Sequence, residues 1–489
     1  MAALIGVLTI ALLWPAVVNR SPIIDPDTLG YMQVGEHALQ AAGSALAKLA
    51  AKLHHVSAAA GGSGAAPAPM RGDHFSPDRS AYYGVFAASQ FALGGLWLVA
   101  VCQSLIAAIT LSIGLRRLGG GHRLRMAVIG LLVAAVSGLA PLASVLMPDV
   151  FAGLMLLGIA LLSAPAVGLS RLERGFLYAL VLASVLFHAA HLLLAAAMVV
   201  ALIGLGFFFN GVSRRTIAVL ALVVALGAAG MTAVNVAAAK LLHTPVVPKP
   251  FLLARMQADG PAAAYLHDHC ATKPFTICKY RDRLPEPSNT FLWSLDPKTG
   301  VIGVASLQDQ EAILRETGPV VWGAVREHPL AQVQASAANA LAQFVTVGVS
   351  DYNTMNADAV ATPSSTRFYP AAKAYVAART PNDVAELEVM SRVMSLAYFL
   401  SLAILAGFAV SRFTHPAAGA AGQPAAKDDG LLLTLCVVVI GAICNALICG
   451  VLSGVFDRYQ GSVAWPVVLV AGLVTARVLT RPGASDAPG

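Results

Sequence analysis

Asp25 and Asp27, in the stretch Ile24-Asp25-Pro26-Asp27-Thr28, stand directly after the first apolar run of a very apolar chain. Two carboxylates at that point make an acidic site on the boundary between water and lipid. Such a site suits acid–base chemistry on a substrate that lipid carries. Asp27 has a plainer role open to it, as the N-cap of the helical segment that follows. Further on, Asp78-Arg79-Ser80-Ala81-Tyr82-Tyr83 returns the chain to the bilayer. Interfacial aromatic belts account for the tyrosines, but not for the arginine. His188 and His191 are three residues apart between apolar runs. Ionisable groups at such depth face a cavity or a partner, so the pair reads either as a phosphate contact or as two histidines bonded to backbone at a helix break.

The elements that must position these residues are membrane spans. The chain has 489 residues, 57% hydrophobic and 12% charged, the composition of a multi-spanning membrane protein. Apolar runs suited to roughly 30 Å of hydrocarbon lie near 2–18, 94–115, 126–147, 150–162, 176–186, 191–209, 217–237, 393–410, 431–455 and 463–479. The first lacks a basic flank and reads as a retained span rather than a leader. Residues 176–209 must divide, because about 34 helical residues would rise about 51 Å. About ten crossings with the N-terminus inside put Arg116, Arg117, Arg123, Arg125, Arg171, Arg174, Arg214, Arg215, Arg412, Lys427, Arg477 and Arg481 on the cytoplasmic side, as basic short loops prefer. That distribution accounts for the net charge of +7. Lys and Arg nowhere cluster with aromatics as nucleic-acid binding requires.

The predicted organisation is a transmembrane module over 1–237 with a first outer loop at 19–91, an outer domain over 238–392, and C-terminal membrane helices with a short tail over 393–489. Within the first loop, 28–53 has the spacing of an amphipathic helix on the membrane surface, and 57–69 is low-complexity. Cys270 and Cys278 are close together in the outer domain and are expected to form a disulfide in an oxidising compartment. Closing so short a loop is worth about 2.5 kcal/mol on the chain-entropy view. Zinc with His267 and His269 is the alternative. Cys102, Cys436, Cys444 and Cys449 fall in spans and read as apolar fillers. Arg255, Arg281 and Arg283 have the chemistry to bind phosphate and Trp293 to stack on a sugar, although all four also suit ordinary roles in a small domain. No Walker loop, dinucleotide fingerprint, zincin motif or nucleophile elbow is present.

Together, an acidic residue followed by a helix containing Tyr31, then 79–86 with Arg79 and Tyr83, then Val101-Cys102-Gln103-Ser104-Leu105, resemble the start of the GT-C superfamily of polyprenyl-phosphate-sugar-dependent glycosyltransferases. The nearest likeness is to protein mannosyltransferases and the lipid A aminoarabinose transferase. Met147-Pro148-Asp149-Val150 resembles the second acidic motif of such enzymes, and Asp457-Arg458-Tyr459-Gln460 their late Arg-Tyr motif. The likeness covers about half the chain and omits the 57–69 insert and the long outer loop. It implies an all-α polytopic fold of about ten transmembrane helices, with a periplasmic juxtamembrane helix and a small, mostly helical outer domain. The implied setting is the bacterial inner membrane with the active face periplasmic. The implied reaction takes a sugar from an undecaprenyl-phosphate donor to a saccharide, lipid or protein acceptor. Asp27 would be the general base. Asp25 or Asp149 would position the acceptor or, with Asp27, a divalent cation such as Mg or Mn. Arg79, Arg458 and His188 would meet the leaving phosphate, with Tyr31, Tyr83, His191 and Tyr459 lining the substrate. Two other classes fit the composition. A transporter or flippase needs a polar path across the whole membrane, whereas the charges here gather at the outer boundary. A non-catalytic component of envelope-polysaccharide assembly needs only the outer domain.

Overall fold

The computed structural model describes residues 2–53, 78–119, 122–164, 168–209, 212–242, 247–361, 364, 366–379, 381–414 and 425–479. The low-complexity stretch 57–69 lies outside them. Among the described residues every named element is helical: α1 (Ala2–Leu12), α2 (Trp14–Val18), α3 (Pro26–Leu53), α4 (Ala81–Leu118), α5 (Arg123–Val136), α6 (Leu139–Ser144), α7 (Val150–Ser163), α8 (Arg171–Phe187), α9 (Ala189–Leu205), α10 (Arg214–Leu242), α11 (Phe251–Ala258), α12 (Pro261–His269), α13 (Ser288–Trp293), α14 (Leu307–Glu327), α15 (Pro329–Val345), α16 (Tyr369–Ala378), α17 (Pro381–Thr414), α18 (Ala425–Leu452) and α19 (Asp457–Val478), with short 3₁₀ turns between them.

Among the described residues five helices are long and apolar enough to cross a membrane: Ala81–Leu118, Arg214–Lys240, Glu386–Ser411, Gly430–Leu452 and Asp457–Val478. Ala2–Leu12, Val150–Ser163 and Ala189–Leu205 are shorter apolar helices. The chain is thus a helical membrane protein. Several expected boundaries move. The run 2–18 breaks after Leu12, where Pro15 enters the first turn of α2. The run 126–147 is two helices, because Ser137 is extended and ends α5. The run 94–115 is the back part of α4, whose helical path bends at Gly94 and Gly95; Gly95 has φ +70°, a conformation that a side chain would strain. The division of 176–209 falls at His188, whose extended backbone separates α8 from α9.

The expected outer domain also divides. Leu253, Met256, Tyr265, Leu266, Ile277, Phe291, Ile313 and Val320, from α11 to α14, form a hydrophobic core of their own. The later helices α15 and α16 belong elsewhere: Phe344 and Ala372 join the main core, and α15 packs on α18 so closely that a Cβ on Gly450 would lie 2.7 Å from the Asn339 carbonyl oxygen. Cys270 and Cys278 are disulfide-bonded, and His269 pairs with Glu327 at 2.8 Å. Reducing the bond is expected to lower the unfolding midpoint of the α11–α14 core, with a loss of about 2.5 kcal/mol. Identical melting with and without reductant would contradict that contribution.

Helices α3 and α4 cross at two glycines. A Cβ on Gly35 would lie 2.0 Å from the Gly84 carbonyl oxygen, and one on Gly84 would lie 2.5 Å from the Tyr31 carbonyl oxygen. Backbone meets backbone there, so no side chain can yield. This crossing sets the start of α3 beside the start of α4. Gly84→Ala is expected to part the helices and cost about 1 to 3 kcal/mol, measured as a lowered unfolding midpoint in micelles; an unchanged midpoint would argue against so tight a crossing.

Candidate functional site

The loop after α2 is tied to the loop after α6 by a parallel bridge between Ile23 and Val145. The Ile23 N–H donates to the Ser144 carbonyl at 2.9 Å and the Leu146 N–H to the Ile23 carbonyl at 3.0 Å. Thr28 adds a bond from Oγ1 to the Leu146 carbonyl at 3.1 Å. The bridge brings the segment bearing Asp25 and Asp27 to the segment bearing Asp149, although its two residues, Ile23 and Val145, are far apart in sequence.

At the start of α3 the two aspartates divide the work, and not as the sequence suggests. Asp25 is the cap: its Oδ1 accepts from the Asp27 N–H at 2.9 Å, while its own N–H donates to Thr28 Oγ1 at 3.1 Å. Pro26 follows at the first helical position, where its missing N–H costs nothing. Asp25 is only 3% exposed. Asp27, relieved of capping, keeps a side chain 27% exposed and receives Arg79 on Oδ1.

Arg79 precedes α4 and donates a second bond to the Asp78 carbonyl at 3.2 Å. Its guanidinium lies 5.8 Å from the centre of the Tyr31 ring and 5.2 Å from that of Trp293. Arg458 sits in the first turn of α19, which begins earlier than the apolar run 463–479 implies. It stands 3.6 Å from Asp27 Oδ2 and 3.8 Å from Asp25 Oδ1. These are ion-pair distances, too long for hydrogen bonds. The guanidinium is flanked by Tyr352 and Tyr459, each 5.5 Å from ring centre, and its buried Nε–H meets no acceptor among the described residues. Buried donors are normally hydrogen-bonded.

The charge states follow from this geometry. Burial, then the Asp27 carboxylate and more weakly that of Asp149, push Asp25 up to about 6 against the pull of Arg458. Burial would raise Asp27 as well, but Arg79 and Arg458 together hold it below the usual carboxylate range. In the turn between α8 and α9, burial followed by the charges of Arg79 and Arg458 brings His188 down to about 4, so it is neutral at pH 7.

The remaining predicted residues are less free than the sequence suggests. Tyr83 is fully buried and donates its hydroxyl to Gln103 Oε1 at 2.8 Å, so it supports the core instead of a substrate. Tyr31 packs edge-on to Tyr83 at 5.0 Å, as a floor under Arg79. His188 caps α9 by accepting the Ala190 N–H at 3.2 Å, and His191 bonds the Ser184 carbonyl at 2.9 Å; the helix-break role describes both rings. Arg255 pairs with Asp259, Arg281 lies 3.6 Å from Asp282, and Arg283 donates to the Gly300 carbonyl at 2.5 Å. Trp293 does reach the site, with Lys249 Nζ 4.4 Å from its ring. Among the described residues no three His, Cys, Asp or Glu side chains gather as a metal would need. Guanidiniums occupy the space beside Asp27.

The third wall of the site leaves little trace in the sequence. Asp457 Oδ2 accepts from the N–H of Ser350 at 2.7 Å and from its hydroxyl at 2.5 Å, and the Asp457 N–H donates to Asp351 Oδ2 at 2.6 Å. This exchange fixes the 3₁₀ turn Ser350–Thr354 against α19 and sets Tyr352 beside Arg458. Only the polar run Ser350-Asp351-Tyr352-Asn353 hinted at it. Burial and the nearness of Asp457 push Asp351 up to about 7.

Asp25 and Asp351 hold a proton more tightly in the fold than in the open chain, so their ionisation opposes folding. Their contribution is fully present below the ordinary carboxylate value of 3.8, and is lost as pH rises through about 6 for Asp25 and about 7 for Asp351. Asp351→Asn, which cannot ionise, is expected to flatten the fall in melting temperature between pH 5.5 and 8. The same slope in variant and wild type would contradict the assignment.

No protein-family model, no curated protein and no solved structure matches this chain.

Proposed function

We propose that this protein is a membrane glycosyltransferase of the GT-C kind, which moves a sugar from a polyprenyl-phosphate carrier to an acceptor hydroxyl on the periplasmic face of a bacterial inner membrane. About ten crossings fit this reading, with α1 and α2 counted as one, α5 and α6 as another, and α7, α8 and α9 completing the long helices. The observation that carries it is the partly exposed Asp27 carboxylate at the start of α3, set between Arg79 before α4 and Arg458 in the first turn of α19. A base and two phosphate-binding cations then share one mouth, beside the exposed indole of Trp293.

In the reaction, the acceptor oxygen attacks the anomeric carbon as the bond from that carbon to the phosphate oxygen breaks. The bonding pair leaves on the phosphate, where the guanidiniums stabilise the charge that develops. Asp27 takes the hydroxyl proton, and glycoside and polyprenyl phosphate are the products. With both arginines upon it Asp27 is a weak base. A bound phosphate draws the guanidiniums to itself and restores the basicity of the carboxylate, so donor binding readies the acceptor step. The loose 3.6 Å and 3.8 Å contacts of Arg458 and its unmet Nε–H support this exchange.

Titration of undecaprenyl phosphate into the purified protein in micelles tests the phosphate site. Arg79→Gln is expected to weaken binding about tenfold, as loss of a charged hydrogen bond of about 1.5 kcal/mol implies, and undecaprenol should bind far less. Equal affinity for the alcohol and its phosphate would overturn the reading.

A further inference from the structure

At the far end of the helices, away from Asp27, a second feature has no part in this chemistry. α7 leads from Asp149 down to Ser163, a rise of about 21 Å, and α8 returns from Arg171. Between the end of α7 and the beginnings of α8 and α10 lies a cavity of about 610 Å³, within the range of small-molecule sites. Arg171, Arg174 and Arg215 line it, with Tyr178 and Thr216 as hydroxyl donors, and Leu161 belongs to its apolar wall. None of the three arginines has an acidic partner within ion-pair distance among the described residues. The nearby acid, Glu173, is already taken: it pairs with Arg116 and Arg117, and its Oε2 accepts the Ser170 N–H at 2.8 Å. The cavity therefore holds three uncompensated guanidiniums beside a hydrocarbon surface, at the end of a membrane bundle. The first turns of α8 and α10 also bring the positive ends of two helices to it.

We infer that this cavity binds the phosphodiester headgroup of an anionic glycerophospholipid, its acyl chains lying along the apolar wall. Guanidiniums match phosphate oxygens in pairs, and basic pockets between membrane helices are recognised seats for anionic headgroups. A neutral headgroup leaves the three charges unmet, and a free phosphate leaves the leucine wall uncovered.

The test uses full-length protein in neutral detergent, with binding followed by native mass spectrometry and by thermal shift. Phosphatidylglycerol is expected to be retained at one copy and to raise the melting temperature. Phosphatidylcholine and inorganic phosphate should do neither. Each of Arg171→Gln, Arg174→Gln and Arg215→Gln should weaken retention roughly fivefold, and the triple variant roughly a hundredfold; Arg123→Gln, at the same end but outside the cavity, should bind as wild type does. The single Arg215→Gln keeps the test valid if the triple variant fails to fold. Equal retention of phosphatidylcholine, protection by inorganic phosphate alone, or undiminished binding by the single arginine variants would overturn the inference.

Discussion

Replacing Arg458 by alanine is expected to destabilise the protein by about 3 to 5 kcal/mol, the usual cost of removing one partner from a buried ion pair. The residue faces both Asp25 and Asp27 and fills the space between the rings of Tyr352 and Tyr459. Without it Asp25 loses the nearest cation that favours its charged form. That carboxyl already sits at about 6, so it can take up a proton in place of the lost partner. The loss should thus be smaller at pH 5.5 than at pH 8. Arg458→Lys should recover much of the stability, because it restores the charge, but little of the phosphate binding, because it lacks the planar fork. Melting curves at the two pH values decide: an alanine variant as stable as wild type at pH 8 would show that Arg458 is a peripheral cation.

The second large effect concerns Asp27. Asp27→Asn should lower sugar transfer by about 10²- to 10⁴-fold, the usual worth of a general base. Capping does not confuse this result, since Asp25 makes the cap of α3. The amide also keeps an oxygen for Arg79 to donate to, so the variant should be made in normal amount. Undecaprenyl phosphate should bind it at least as well as wild type, because a competing carboxylate has gone. An Asp27→Asn protein that transfers at the wild-type rate would reduce Asp27 to a counter-ion for two arginines.

The distribution of apolar runs made the helical membrane class legible in the sequence, and helix length required a division within 176–209, which the fold places at His188. Proximity of Cys270 and Cys278 was enough to expect their bond. What the sequence hid were tertiary facts. Nothing in Asp25-Pro26-Asp27 says which aspartate caps, because the choice depends on Thr28 reaching Leu146 and on Arg79 arriving from 52 residues away. Tyr83 looked interfacial because Gln103, the partner of its hydroxyl, is a polar residue inside an apolar run. Asp351 and Tyr352 were invisible for a related reason: their place beside Arg458 is set by the exchange with Asp457, over a separation of 106 residues.

The fate of a labelled lipid-linked sugar reports directly on transfer. Purified protein in micelles would be given undecaprenyl-phosphate sugars carrying label in the sugar, with a panel of saccharide, lipid and peptide acceptors, and both products would be counted. Label is expected to appear on an acceptor with undecaprenyl phosphate released in equal amount, and Asp27→Asn is expected to lower both by about 10²- to 10⁴-fold while still binding the carrier. Binding of the carrier with no release of undecaprenyl phosphate from any donor by the wild-type protein would contradict the transferase reading.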